Sequence, residues 1–402
     1  MLLHRVALVA LLTCLAACGS ASASTAVSAG DAGPGASGNP PQSTVDGGTS
    51  GEGAAGDASS GGGTSGVGPD GGFVPGAPIS APAGQWTWIP FDNAFCGNGA
   101  ATGIGINPST TGTRVLIYLE GGGACWDATT CYTEMTASYF TTGYSEANFV
   151  AESTDVTYLA LPGGFFDRTA AQNPFQDYSY VYLPYCTGDI FAGDNVTKLG
   201  TNTAHFVGHA NVAAFLSRLV PTFPAADRVI LAGSSAGGYG AMYNAWQVQA
   251  AFGGVRVDVL DDSGTFLPPD VEAEGNGAQS TEATAWNLAA TSPPCPACAT
   301  NASAIYGAWA QAFPAHRGAL LSYSEDAVLP AYNGITTAQF TAGLDEILAD
   351  QFKPNPQLQA FVFGGAGHVL FFDPLLTQNG VTLQTFVAQM VTDSPAWATV
   401  QP

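Results

Sequence analysis

The chain has 402 residues, with only 9 Lys and Arg against 31 Asp and Glu, for a formal net charge of −22. That balance excludes nucleic acid as a partner, because phosphate binding needs clustered basic side chains, and it excludes a polybasic contact with anionic lipid. At 46% hydrophobic residues the chain can bury a sizeable core,.

His4 and Arg5 precede an apolar run over residues 6–17, too short to span a bilayer but matched to a signal-peptide core,. The run ends in Leu15-Ala16-Ala17-Cys18-Gly19, which resembles the bacterial lipobox, whose cysteine carries the lipid and becomes the first mature residue,. Residues 1–18 are therefore expected to be a lipoprotein signal peptide, lipidated at Cys18. Residues 19–78 are almost wholly Gly, Ser, Ala, Asp, Pro and Thr, with no periodic apolar face to offset the entropy of ordering,. They read as a disordered tether with an r.m.s. reach on the order of 40 Å. Residues 79–402 remain for one catalytic domain.

Within that domain, β-branched apolar runs alternate with helix-period segments. The pattern predicts strands over 114–120, 178–185, 228–232, 256–260, 318–324 and 358–363. Helices are predicted over 209–219, 236–252, 303–313, 336–351 and 382–391. Buried strands interleaved with helices predict an α/β fold, α/β-hydrolase-like, with a mostly parallel sheet covered on both faces and a ligand site beyond the carboxyl ends of the strands.

Gly233-Ser234-Ser235-Ala236-Gly237-Gly238 follows the strand Arg228-Val229-Ile230-Leu231-Ala232 and opens a helix. This is the G-x-S-x-G context of a nucleophile elbow, with Ser235 raised above the sheet and the Ala236 N–H aimed at a substrate oxygen. A serine hydroxyl needs a base. Of five histidines, His4 lies in the signal, and His205 and His209 fall at the start of a helix,. His316 sits in a loop, and His368 alone ends a late strand on a glycine-rich turn, where the base of this fold belongs,. The orienting carboxylate is expected between Ser235 and His368 in sequence: Asp326 first, with Glu325, Asp261 and Asp262 as alternatives,. The glycines after the first predicted strand let backbone amides near Gly122 and Gly123 join that of Ala236 as an oxyanion hole. Beyond Cys18, six cysteines remain: Cys96, Cys125, Cys131, Cys186, Cys295 and Cys298. Their even number in an exported chain predicts disulfides, with 15 pairings open and no second half-site to make Cys295 and Cys298 a zinc ligand pair. No metal and no cofactor are expected.

The motifs Phe95-Cys96-Gly97-Asn98-Gly99, Leu119-Glu120-Gly121-Gly122-Gly123-Ala124-Cys125 with Cys131, and Tyr182-Leu183-Pro184-Tyr185-Cys186 with Asp189 resemble the pectin acetylesterase/Notum family of carboxylesterases. The elbow completes the set, and the likeness runs from about residue 95 to 368. It implies Ser235 as nucleophile, His368 as base and Glu325 or Asp326 as acid. It also implies disulfides Cys125–Cys131 and Cys96–Cys186, leaving Cys295–Cys298. Relatives carry an aromatic residue where this chain has Ala124, while Trp126 follows the cysteine. The expectation is a monomeric serine esterase held at the outer membrane or cell surface by its lipid. Its substrate would be an acylated glycan or small ester, with acetyl groups on a polysaccharide as the first choice. The alternatives are an esterase for longer acyl chains on lipids or proteins, and a surface-binding lipoprotein without catalysis.

Substitution of Cys18 by serine is expected to move the protein out of the membrane fraction. Unchanged fractionation would count against a lipid anchor.

Overall fold

The computed structural model describes residues 73–402 apart from 274–277. The signal peptide, Cys18 and the tether up to residue 72 lie outside the described residues. Ten strands organise the domain: β1 (Thr87–Phe95), β2 (Ala101–Asn107), β3 (Val115–Leu119), β4 (Ser179–Leu183), β5 (Asn195–Leu199), β6 (Asn202–Phe206), β7 (Arg228–Ser234), β8 (Arg256–Asp262), β9 (Gly318–Asp326) and β10 (Leu358–Gly367). Eight of them make one sheet in the order β1-β2-β4-β3-β7-β8-β9-β10, while β5 and β6 form a separate hairpin. From β4 to β10 neighbouring strands run parallel, and β2 pairs antiparallel with β1 and β4.

The central strands are apolar on both sides because both faces of the sheet are covered. Val115, Ile117 and Leu119 of β3 point into a core shared with the helices Gly208–Thr222 and Ala236–Phe252. Leu116 and Tyr118, the alternate residues, join a second core with the closing helix Leu383–Val391 and an aromatic group that includes Tyr180, Tyr182 and Phe371. Such burial leaves no polar face, so these strands read as continuous apolar runs in the sequence. β1 and β2 escaped that signal. β1 carries Pro90, tolerable because the strand lies at the sheet edge, where one row of amides needs no ladder partner,.

Register brings the functional candidates to one edge. Leu119 pairs with Gly233, Ser234 with Asp262, Asp262 with Leu321, and Asp326 with Gly367. Asp261, Asp262, Glu325 and Asp326 therefore lie inside strand ends, rather than in the turns after them. His205 also differs from expectation: it is on β6, while His209 is in the helix Gly208–Thr222. At the opposite, amino-terminal edge, Arg228, Arg256 and Arg317 converge on Asp258 and Asp393. The basic residues that are scattered along the sequence thus include a group that meets in space, at the end away from Ser235.

Three disulfides close the domain: Cys96–Cys186, Cys125–Cys131 and Cys295–Cys298. Such bridges are features of exported, oxidised proteins.

Candidate active site

Ser235 follows β7 and caps the helix Ala236–Phe252 with φ 56° and ψ −121°, a conformation that L side chains rarely adopt,. The small residues around it are sterically required. A Cβ on Gly233 would lie 2.1 Å from the Gly237 carbonyl oxygen, and one on Gly237 would lie 2.0 Å from that of Leu119. The Ala236 amide, in the first helical turn, has no intrahelical carbonyl to bond.

His368 follows β10. Its Nδ1 is 2.7 Å from Asp326 Oδ2, and the Asp326 side chain is fully buried. The other carboxylate oxygen, Oδ1, accepts the amides of Val328 and Leu329 at 2.8 Å, which fixes the carboxylate in place. With Nδ1–H donating to Asp326, Nε2 is left with its lone pair. That atom is buried and carries no hydrogen-bond partner. Glu325, one residue earlier on β9, faces outward and is exposed. Alternation along a strand sends neighbours to opposite sides, so only one of the two can meet the imidazole.

The competing carboxylates are occupied elsewhere. Asp261 Oδ2 accepts the Tyr306 hydroxyl at 2.9 Å and Oδ1 the Gly264 amide at 2.9 Å, and burial pushes its pKa well up. Asp262 is a junction. Its backbone carbonyl accepts the Ser235 amide at 2.7 Å, and Oδ2 accepts the Ser234 hydroxyl at 2.7 Å. The same carboxylate accepts the amides of Leu370 at 2.9 Å and Phe371 at 3.1 Å, just beyond His368. Next to it, Ser263 Oγ accepts the Val369 amide at 3.0 Å. Ser235, Ser263 and Val369 have φ of 56°, 60° and 65°. Strain of this kind, about 1–3 kcal/mol per residue, persists only where the surroundings over-determine it. Two other described histidines are engaged away from Ser235: His209 Nδ1 lies 3.1 Å from the Gln247 amide nitrogen, and His316 Nδ1 lies 2.9 Å from the Val257 carbonyl.

Ser235 opens onto a cavity of about 830 Å³. Gly123, Ala124, Ala236, Trp286, Leu288 and Ile305 are among its walls, and Glu282 is the one charged side chain among the described residues lining it. Gly122 does not line it but packs against Tyr185 and Ser138. His368 and Asp326 are also absent from the wall. Gly123 has φ 76°, and a Cβ there would meet the Thr136 carbonyl at 2.1 Å and the Tyr332 hydroxyl at 2.3 Å. Tyr332, which donates to that carbonyl at 2.7 Å, pins the glycine turn from the cavity side. Neither Tyr332 nor the Asp262 junction is visible in the sequence, since their bonds join residues far apart in the chain. The Cys295–Cys298 bridge sits in the rim between Pro293, Pro294 and Pro296.

A family model described as pectinacetylesterase matches residues 89–313. A palmitoleoyl-protein carboxylesterase NOTUM of Schmidtea mediterranea is 31% identical over 157 residues, 38% of this chain and 28% of that protein. Palmitoleoyl-protein carboxylesterase notum2 of Xenopus laevis is 31% identical over 179 residues, 43% of this chain and 35% of its own length. The matched stretch thus spans about a third of these relatives. A solved structure of the Wnt deacylase Notum from Drosophila superposes with a TM-score of 0.57 at 17% identity, over 78% of this chain and 95% of that one. This likeness is one of fold.

Replacing Asp262 by alanine strands buried donors on both segments it joins, at about 1–3 kcal/mol each. The variant is expected to unfold at least 5 °C lower, roughly the shift for a loss of several kcal/mol in a domain of this size. A melting temperature within 1 °C of the parent, roughly the shift for a few tenths of a kcal/mol, would show that the junction holds nothing.

Proposed function

Because the chain belongs to the pectinacetylesterase family, we propose that it is a serine carboxylic-ester hydrolase. The observation that carries this is the buried His368–Asp326 pair, at 2.7 Å, with Nε2 unpartnered at the same sheet edge as the strained Ser235. Ser235 Oγ attacks the ester carbonyl while His368 Nε2 takes its proton. Asp326 holds the imidazole tautomer and stabilises the imidazolium. The Ala236 amide and those of the glycine turn, Gly122 and Gly123, receive the charge on the carbonyl oxygen. His368 then protonates the departing alcohol, and a water deprotonated by the same nitrogen releases the acid.

For the acyl group, the cavity favours a chain longer than acetyl. A methyl group is about the size of one water, ~30 Å³, so acetate would leave most of the 830 Å³ unfilled. Its apolar walls suit an aliphatic chain, each methylene of which gains about 0.8 kcal/mol on burial. The names of the curated relatives, palmitoleoyl-protein carboxylesterases, agree. Acetyl groups on a polysaccharide form the second reading, favoured by the description of the family model. Residues 1–18 would direct export and residues 19–78 would tether the domain at 79–402 from a lipid on Cys18, at the outer membrane or cell surface.

A p-nitrophenyl ester series from acetyl through butyryl to octanoyl tests the reading. The specificity constant kcat/KM is expected to rise a few-fold per added methylene, from the ~0.8 kcal/mol above. Ser235→Ala should abolish most of the activity. Asp326→Asn should lower kcat by as much as ~10⁴, by analogy with triad aspartates, and the exposed Glu325→Gln should change it little. Acetyl as the best substrate and octanoyl untouched would overturn the long-acyl reading in favour of the acetyl one. Equal damage from Glu325→Gln would overturn the assignment of the acid.

Glycan preference follows from charge. The arginine group lies at the far edge of the sheet, and no Lys or Arg is among the described residues lining the cavity. A polyanion is therefore repelled, most strongly at low salt, where the Debye length is about 30 Å at 0.01 M. Initial rates on acetylated xylan are expected to exceed those on acetylated pectin, with pectin rates rising as salt is added. Faster pectin turnover at low salt, falling with added salt, would contradict this.

A further inference from the structure

Beneath the glycine turn lies a second group of ionisable side chains that the mechanism above does not use. Glu120 follows β3 and immediately precedes Gly121, and its side chain is buried. Its carboxyl lies close enough to that of Glu152, on the helix Glu146–Thr154, for the two to interact. Two carboxyls in contact, Glu120 buried and Glu152 half-buried, repel when both are ionised,. Both carboxyls have further hydrogen-bond partners. Glu152 Oε1 accepts the Tyr139 hydroxyl at 2.9 Å, and Oε2 accepts those of Tyr182, at 2.8 Å, and Tyr144. Glu120 Oε2 accepts the Tyr185 amide at 2.8 Å, and the Tyr182 hydroxyl also lies against the Glu120 carboxyl.

The titratable groups facing the pair are tyrosines from every neighbouring element: Tyr118 on β3, Tyr182 on β4, Tyr139 and Tyr144 before the helix, and Tyr158 after it. Burial pushes all five hydroxyls above their ordinary pKa, so they remain donors. Among the described residues no Lys, Arg or His donates a hydrogen bond to either carboxyl. Burial, with the charge of Glu152, likewise holds Glu120 well above the usual carboxyl range.

The link to the site is direct. Gly121 packs so close to the elbow that a Cβ on it would lie 3.1 Å from Ser235 Cβ, and one on Gly122 would lie 2.8 Å from the Tyr185 ring. Glu120 thus holds the start of the turn by its backbone and the ring under the turn by its carboxyl. We propose that Glu120 and Glu152 hold one proton in common and act as positioning residues for the 121–123 turn against Ser235, an inference that rests on the esterase reading above. When the pH rises far enough to remove that proton, the two charges repel and the turn is displaced. The sign follows from linkage: between the ordinary and the raised carboxyl pKa the folded state binds a proton that the unfolded state does not, so this pair's contribution to stability falls as pH rises.

Two measurements test it. Infrared difference spectra at neutral pH are expected to show the loss of one protonated-carboxyl band in Glu120→Gln, and a shift of that band in Glu152→Gln, where its partner carboxyl is replaced. In steady-state kinetics on the best p-nitrophenyl ester, Glu120→Leu should lower kcat by about tenfold or more with KM within about twofold, as expected when an oxyanion-binding turn is misplaced. Glu120→Gln should recover most of that loss, and its kcat should hold at alkaline pH, where the parent's declines. An unchanged infrared band in either glutamine variant, or an alkaline decline in Glu120→Gln identical to the parent's, would overturn the proposal. So would full kcat in Glu120→Leu. A parent protein that hydrolyses no ester would defeat the esterase reading instead, and the infrared comparison would still decide where the proton lies.

Discussion

The site depends on one buried carboxylate, Asp262, at the point where the segments carrying Ser235 and His368 meet. It joins Ser234 and Ser235 to the backbone of residues 369–371, which are more than a hundred positions away in the chain. Desolvation pushes the pKa of Asp262 up, while its hydrogen bonds pull it back down. An unpaired charge there would be strongly unfavourable; a fully bonded one is a rigid strut. Its presence explains how a β-branched residue, Val369, is held with φ 65° directly after the histidine. The strain at Ser235 and Val369 is sustained by a common anchor, which ties the segment carrying Ser235 to the one that follows His368.

Around that anchor the site divides its labour by depth. Asp326 uses one oxygen for His368 and the other to fix the start of the helix Leu329–Asn333, whose Tyr332 reaches back to hold the glycine turn. One carboxylate thereby couples His368 to the cavity wall. The cavity is apolar, and its rim is stiffened by prolines and a disulfide. Surfaces of this kind hold aliphatic groups through burial, with few polar contacts.

Much of this was legible in the sequence, for physical reasons. Strands buried on both faces leave continuous apolar runs, so the six central strands and the helix Ala236–Phe252 stood out. The elbow was legible because only small residues fit beside Ser235. β1 and β2 were hidden by their proline and glycines. The choice between Glu325 and Asp326 could not be read, since a slip of one residue reverses the face of a strand and periodicity is blind to it. Asp262 looked like a turn former or a rival acid because its partners are remote in sequence. For the same reason the scattered arginines gave no hint that three of them gather around Asp258 and Asp393.

The central claim is that Ser235 is an activated nucleophile, and covalent trapping tests it most directly. The intact protein would be treated with an alkyl fluorophosphonate at neutral pH, weighed by mass spectrometry and digested to locate the adduct. The account predicts a single adduct, on Ser235, formed fast in the parent and far more slowly in Asp326→Asn. No adduct, or an adduct on another residue, would contradict it.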